Sequence, residues 1–144
     1  MLFRSQRVPL LHELMARVRA RIAYKTGVST VETSAAEALE RGAGVAQDHA
    51  HAFIGCCRRL GIPARYVSGY LRNDDSDLLA GRTSHSWAEA WIPELEWVGF
   101  DPANGISPRG DHLRVAVDEY VDGNDRRPGC GSGTRFAGKE HVGQ

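Results

Sequence analysis

Three positions in this chain have the residue types and spacing for chemistry at a carbonyl carbon. Two of them lie on a strand pair. In SHSWAEAW, His85, Trp87, Glu89 and Trp91 alternate with Ser86, Ala88, Ala90 and Ile92, the period of a strand with two distinct faces. Residues 93–96 form a tight turn, and the return strand Trp97 to Asp101 stops at Pro102. If the hairpin pairs residues whose numbers sum to 186, His85 faces Asp101 directly and both side chains share one face. A carboxylate beside an imidazole fixes its tautomer and stabilises the imidazolium.

The third position is a helix start. Ala46, Ala50, Phe53, Ile54, Cys57 and Leu60 fall on one face of a helix running from about Ala46 to Leu60. Gly61 follows as a left-handed stop and Pro63 forbids continuation. A thiol at position 46 would meet the positive end of the helix dipole and unpaired N–H groups. Both favour thiolate, and the same N–H groups serve an oxyanion. The pattern is a Cys–His–Asp frame for attack on an amide, but residue 46 is alanine, whose methyl group attacks nothing. Cys56 and Cys57 lie 10 and 11 residues further along the helix, roughly 15 Å away at about 1.5 Å per residue. Cys130 sits in a glycine-rich tail.

The stretch GAGVAQDHAHAFIGCCRRLGIPARYVSGYL resembles the core of bacterial transglutaminase-like proteins, whose matching motif reads G-V-C-Q-D. SHSWAEAW is similar to that family's H-A-W-x-E-x-W/Y strand, and WVGFDPANG to the strand bearing its third catalytic residue. The three motifs occur in order, 39 and then 16 residues apart, and the likeness runs from about Thr33 to Val117. It implies a papain-like α+β fold with a central helix packed on an antiparallel sheet. It also implies peptide or isopeptide hydrolysis, or acyl transfer from glutamine to amines, on a peptide or protein substrate. By the same resemblance, position 46 is the nucleophile, His85 the general base and acid, and Asp101 its orienter. An alanine at 46 fits a deliberately silenced enzyme and equally a natural pseudoenzyme that binds peptides without chemistry. Family members carry more chain on either side of this core, so a fragment or a decayed copy is also expected.

Other polar and aromatic residues have plainer readings beside functional ones. Gln47 is an oxyanion donor or a surface helix residue. Trp87, with Trp91 and Trp97, borders a cleft or fills the core. Asp48, His49 and His51 resemble metal ligands, but only Asp48 and His51 share a helix face, and no zinc spacing completes a set. Asp48 is explained by the helix dipole. We therefore expect neither a metal nor a cofactor. The polar loop between Arg72 and Ser84 is a mobile connection or a substrate lid.

The elements that position these residues are those of one small domain. The chain has 144 residues, 42% apolar and 25% charged, enough for a core without staples. An amphipathic helix is expected from about Pro9 to Tyr24, with Pro in its first turn. A second, short helix is capped by Ser34 and Glu37. Strands follow at 64–71, 85–92, 97–101 and, more weakly, 112–117. The domain spans residues 1–122 with its core at 33–117, and residues 123–144 read as a loose tail. Basic and acidic side chains balance at 18 each, which offers no field for nucleic acid. No apolar run spans a membrane, no signal peptide is evident, and adjacent free cysteines suit a reducing cytoplasm.

Overall fold

The structure is a computed structural model that describes residues 4–30, 32–72, 82–108 and 110–118. The tail at 123–144 with Cys130, and most of the polar loop after Arg72, lie outside the described residues. Three helices precede a sheet, the α+β order expected. Helix α1 spans Arg4–Arg21, α2 Ala35–Arg41 and α3 Ala46–Arg59. Two short strands, β1 (Ala23–Tyr24) and β2 (Ala43–Gly44), pair in parallel. The main sheet is antiparallel, in the order β5-β4-β3-β6, with β3 at Ala64–Arg72, β4 at Arg82–Ile92, β5 at Glu96–Phe100 and β6 at His112–Asp118. Among the described residues, no helix is long and apolar enough to cross a membrane.

Helix α1 begins before Pro9 rather than at it, and ends at Arg21. Pro9 removes one helical hydrogen bond, but Ser5, whose carbonyl loses its partner, is exposed and open to water. Ile22, Leu11, Met15 and Val18 point inward. Helix α2 is capped by Ser34, whose hydroxyl accepts from the Glu37 N–H at 3.1 Å. Gly42, at φ 74°, closes it in the left-handed conformation.

Helix α3 is central. Phe53, Ile54 and Cys57 are fully buried against Ala88, Ala90, Ile92 and Phe100 of β4 and β5. Small residues on those strands let the helix lie close, so the spacing that marks the helix in sequence also seats it. Gly61, at φ 75°, follows its end.

The β4–β5 hairpin differs in register from the direct pairing expected. Ala88 pairs with Phe100 and Ile92 with Glu96, so the numbers sum to 188 rather than 186. The turn is the reason. Ile92 O accepts from Leu95 N at 3.0 Å, and Glu94 has φ 74°. Pro93 thus takes the second turn position, as its fixed φ favours, which shifts the turn along the chain. The sum stays even, so His85 and Asp101 keep a common face and become diagonal neighbours.

Strand β6 has a register irregularity of its own. Val67 pairs with Val117 and Ser68 with Ala116, but Gly69 pairs with Arg114 and Leu71 with His112. One extra residue on β6 is absorbed between these pairs as a bulge. A one-residue slip exchanges the two faces of a strand. The bulge therefore turns His112 onto the face of Leu71 and Gly69, and Gly69 in turn pairs with His85.

Candidate active site

Each candidate side chain is placed by a local device. Position 46 is the first residue of α3, and Ala46 is buried. The chain enters through Val45, which is extended and has no side-chain oxygen for capping. Asp48 supplies the cap instead: its Oδ2 accepts from Val45 N at 2.8 Å and from the Ser29 hydroxyl at 2.6 Å. That places a buried carboxylate under the helix start. Gly44 makes room for it, since a Cβ there would lie 2.6 Å from Asp48 Oδ2. The motif G-V-A-Q-D is thus a structural unit, whatever stands at its third position.

His49 and His51 do not join Asp48 in a cluster. The ring nitrogens of His49 lie 2.7 Å from Val45 O and 2.8 Å from Ile22 O. The His51 ring stacks on Tyr66 with centroids 4.9 Å apart. Gln47 is buried, and its Nε2 lies 3.4 Å from His51 Nε2.

His85 and Asp101 are brought together. His85 Nε2 donates to Asp101 Oδ2 at 2.8 Å, and the Asp101 side chain is completely buried. Asp101 stands just past β5, in a turn that bonds back on itself: Asp101 N donates to Ile106 O and Gly105 N to Asp101 O, each at 2.8 Å. Pro102, also fully buried, ends the strand. Two residues that local sequence reading leaves out complete the group. Asn104 Nδ2 donates to Asp101 Oδ2 at 2.9 Å, and His112 Nε2 donates to the same oxygen at 2.9 Å. Burial pushes the Asp101 carboxyl up. The hydrogen bond and charge of His85, with the hydrogen bonds from His112 and Asn104, outweigh burial and hold the carboxyl below its ordinary value.

Trp87 forms the floor of this group. It is buried, its ring stacked near His85 at 6.1 Å and edge-on to His112 at 5.1 Å. Gly69 makes room for it: a Cβ there would lie 2.9 Å from Trp87 Cη2 and 2.0 Å from Leu113 O. On the same strand, Glu89 is held by Arg65 at 2.7 Å and Arg114 at 3.1 Å, and Arg65 stacks on Trp97 at 4.0 Å. These bonds lock β3, β4 and β6 beneath the imidazoles.

The core of the Transglutaminase-like superfamily matches residues 5–102, a span that contains Ala46, His85 and Asp101 and stops short of His112. The chain belongs to the transglutaminase-like superfamily. An uncharacterised protein of Mycobacterium tuberculosis is 38% identical over 105 residues, covering 67% of this chain and 33% of the relative. One from Mycobacterium leprae is 37% identical over 109 residues, covering 72% of this chain and 38% of its own. The chain thus spans about a third of the length of these curated relatives. Among solved structures, a candidate cysteine protease from Cytophaga hutchinsonii superposes with a TM-score of 0.65 at 29% identity, over 76% of this chain and 35% of that one. The transglutaminase-like fold is accordingly that of a papain-like cysteine protease.

Proposed function

We propose that this transglutaminase-like chain carries the frame of a cysteine peptidase or amidase, silent at its nucleophile position. The observation that supports the reading is the His85–Asp101 pair. It joins a buried carboxylate, held ionised by its donors, to an imidazole nitrogen. Nε2 of His85 is committed to Asp101, so Nδ1 is the nitrogen left to exchange a proton with a nucleophile. With a thiol at 46, His85 takes its proton, the thiolate attacks an amide carbonyl, and His85 returns the proton to the leaving amine. Water or an amine then releases the acyl group. Asp101 stabilises the imidazolium throughout. The reading requires the first turn of α3 to overhang the start of β4, where His85 stands. Its substrate is a peptide or protein, in a reducing cytoplasm, with no part for membrane or nucleic acid.

The test is Ala46→Cys. Alkylation of residue 46 by iodoacetamide, followed by peptide mapping across pH, should show a thiol that titrates at least one pH unit below the ordinary ~8.5 of a free cysteine. His85→Ala in that background should return it towards the ordinary value. A thiol at 46 that titrates like a free one removes the catalytic reading. In that case the domain is a peptide-binding relative, a role supported by the alanine itself.

A further inference from the structure

The geometry points to a divalent transition-metal site formed by His85, Asp101 and His112. His85 Nε2, Asp101 Oδ2 and His112 Nε2 offer three ligand atoms, all within 4.8 Å of one another. Each nitrogen lies 2.8–2.9 Å from the carboxylate oxygen. Two imidazoles and one carboxylate are the donors of a facial three-ligand site with open positions. Metal–ligand bonds of about 2.0–2.2 Å at right angles place neighbouring donors about 3 Å apart, which the two nitrogen–oxygen pairs already meet. The two nitrogens lie within 4.8 Å of each other, so a small rotation of the rings completes the set. A metal ion would replace the two protons that now lie between the nitrogens and the oxygen.

A second feature supports a ligand role for His112. Its other nitrogen, Nδ1, lies 3.1 Å from Asp111 Oδ1. A carboxylate on the far nitrogen orients a metal-bound imidazole and fixes its proton on Nδ1. Asp111 is half-exposed, whereas the His112 side chain is 1% exposed, so the carboxylate reaches in from the surface to hold a buried ring. The bulge in β6 has the same effect, because without it His112 would point to the other face. Asn104, itself exposed, bonds the same Asp101 oxygen at 2.9 Å and links the buried group to the surface.

Occupancy of this site would bind His85 through Nε2 and leave its proton on Nδ1. His85 could then accept nothing from a nucleophile. That consequence rests on the proposed function; the site itself does not. Metal binding and amide chemistry would exclude one another.

The probes are cobalt(II), followed by its visible absorption, and zinc(II), followed by titration calorimetry, on the 144-residue chain. We expect one saturable equivalent and no thiolate-to-cobalt charge transfer, since Cys56 and Cys57 take no part. His112→Ala should weaken binding by 100-fold or more. Asp111→Asn, at a half-exposed side chain, should weaken it about 10- to 100-fold. His12→Ala, on the exposed face of α1, should change nothing. The absence of saturable binding, or affinity unchanged in Asp111→Asn and His112→Ala, overturns the site. Should His112→Ala fail to fold by circular dichroism, Asp111→Asn decides. The two readings fail separately: a low-titrating thiol in metal-free Ala46→Cys upholds the catalytic frame whatever the metal does.

Discussion

The start of α3 depends on two residues in direct conflict for space. Asp48 caps Val45 and ties down Ser29, and Gly44 is glycine because any side chain would strike that carboxylate. Asp48→Ala removes the cap and should cost about 1–2 kcal/mol in urea denaturation. Gly44→Ala should cost about 1–3 kcal/mol by overpacking. The two changes together should cost less than their sum by at least about 0.5 kcal/mol, because the first empties the space that the second fills. Strict additivity would mean that the cap and the glycine act independently. The motif was legible in the sequence as a helix start, but the role of Asp48 was only half legible. A carboxylate in a first turn suggests the dipole, and nothing in the spacing announces Ser29 as its partner. The same limit hid Asn104 and His112. His85 and Asp101 are joined by a short hairpin and could be related by counting residues. His112 arrives on a strand whose neighbour, β3, lies 41 residues back by the Leu71–His112 pairing.

At the level of elements, α3 was readable at both ends, since small residues and glycine precede it and Gly61 and Pro63 follow it. The hairpin was readable in its strands and off by two in its register, because Pro93 sets where the turn begins. The bulge in β6 was not readable, as it depends on the partner strand. Gly69 is its counterpart. A Cβ there would sit 2.0 Å from a backbone carbonyl, which no side-chain rotation relieves. Gly69→Ala should therefore push β6 off β3 and cost at least about 3 kcal/mol, the upper range for overpacking. In the same variant, the ring resonances of His112 should move towards those of a solvated imidazole. Resonances that stay in place would show that β6 is held by other contacts.

For the molecule as a whole, the core binds its stability to pH through Cys57. Burial first, and Cys56 beside it, push the Cys57 thiol up from 9.0 to about 12, against a smaller opposing pull from Arg7. The folded form therefore keeps its proton where the unfolded chain loses it. This contribution is fully present below pH 9 and is lost as pH rises from there towards 12. The slope should approach about 1.4 kcal/mol per pH unit in that window. Denaturation at pH 8.5 and pH 10.5 should show the loss, and Cys57→Ala, though less stable at the start, should show a shallower one, since burial also pushes the neighbouring Cys56 thiol up. An equal slope in both proteins would assign alkaline unfolding to other groups.

Asp101 receives bonds from three separate stretches of chain: β4, its own turn and β6. One oxygen atom thus fastens together β4 and β6, which are not neighbours in the sheet, and the turn after β5. A lineage whose thiol has been lost would still have an architectural reason to keep the carboxylate and both imidazoles. Their survival in an idle descendant would record the demands of folding rather than of use.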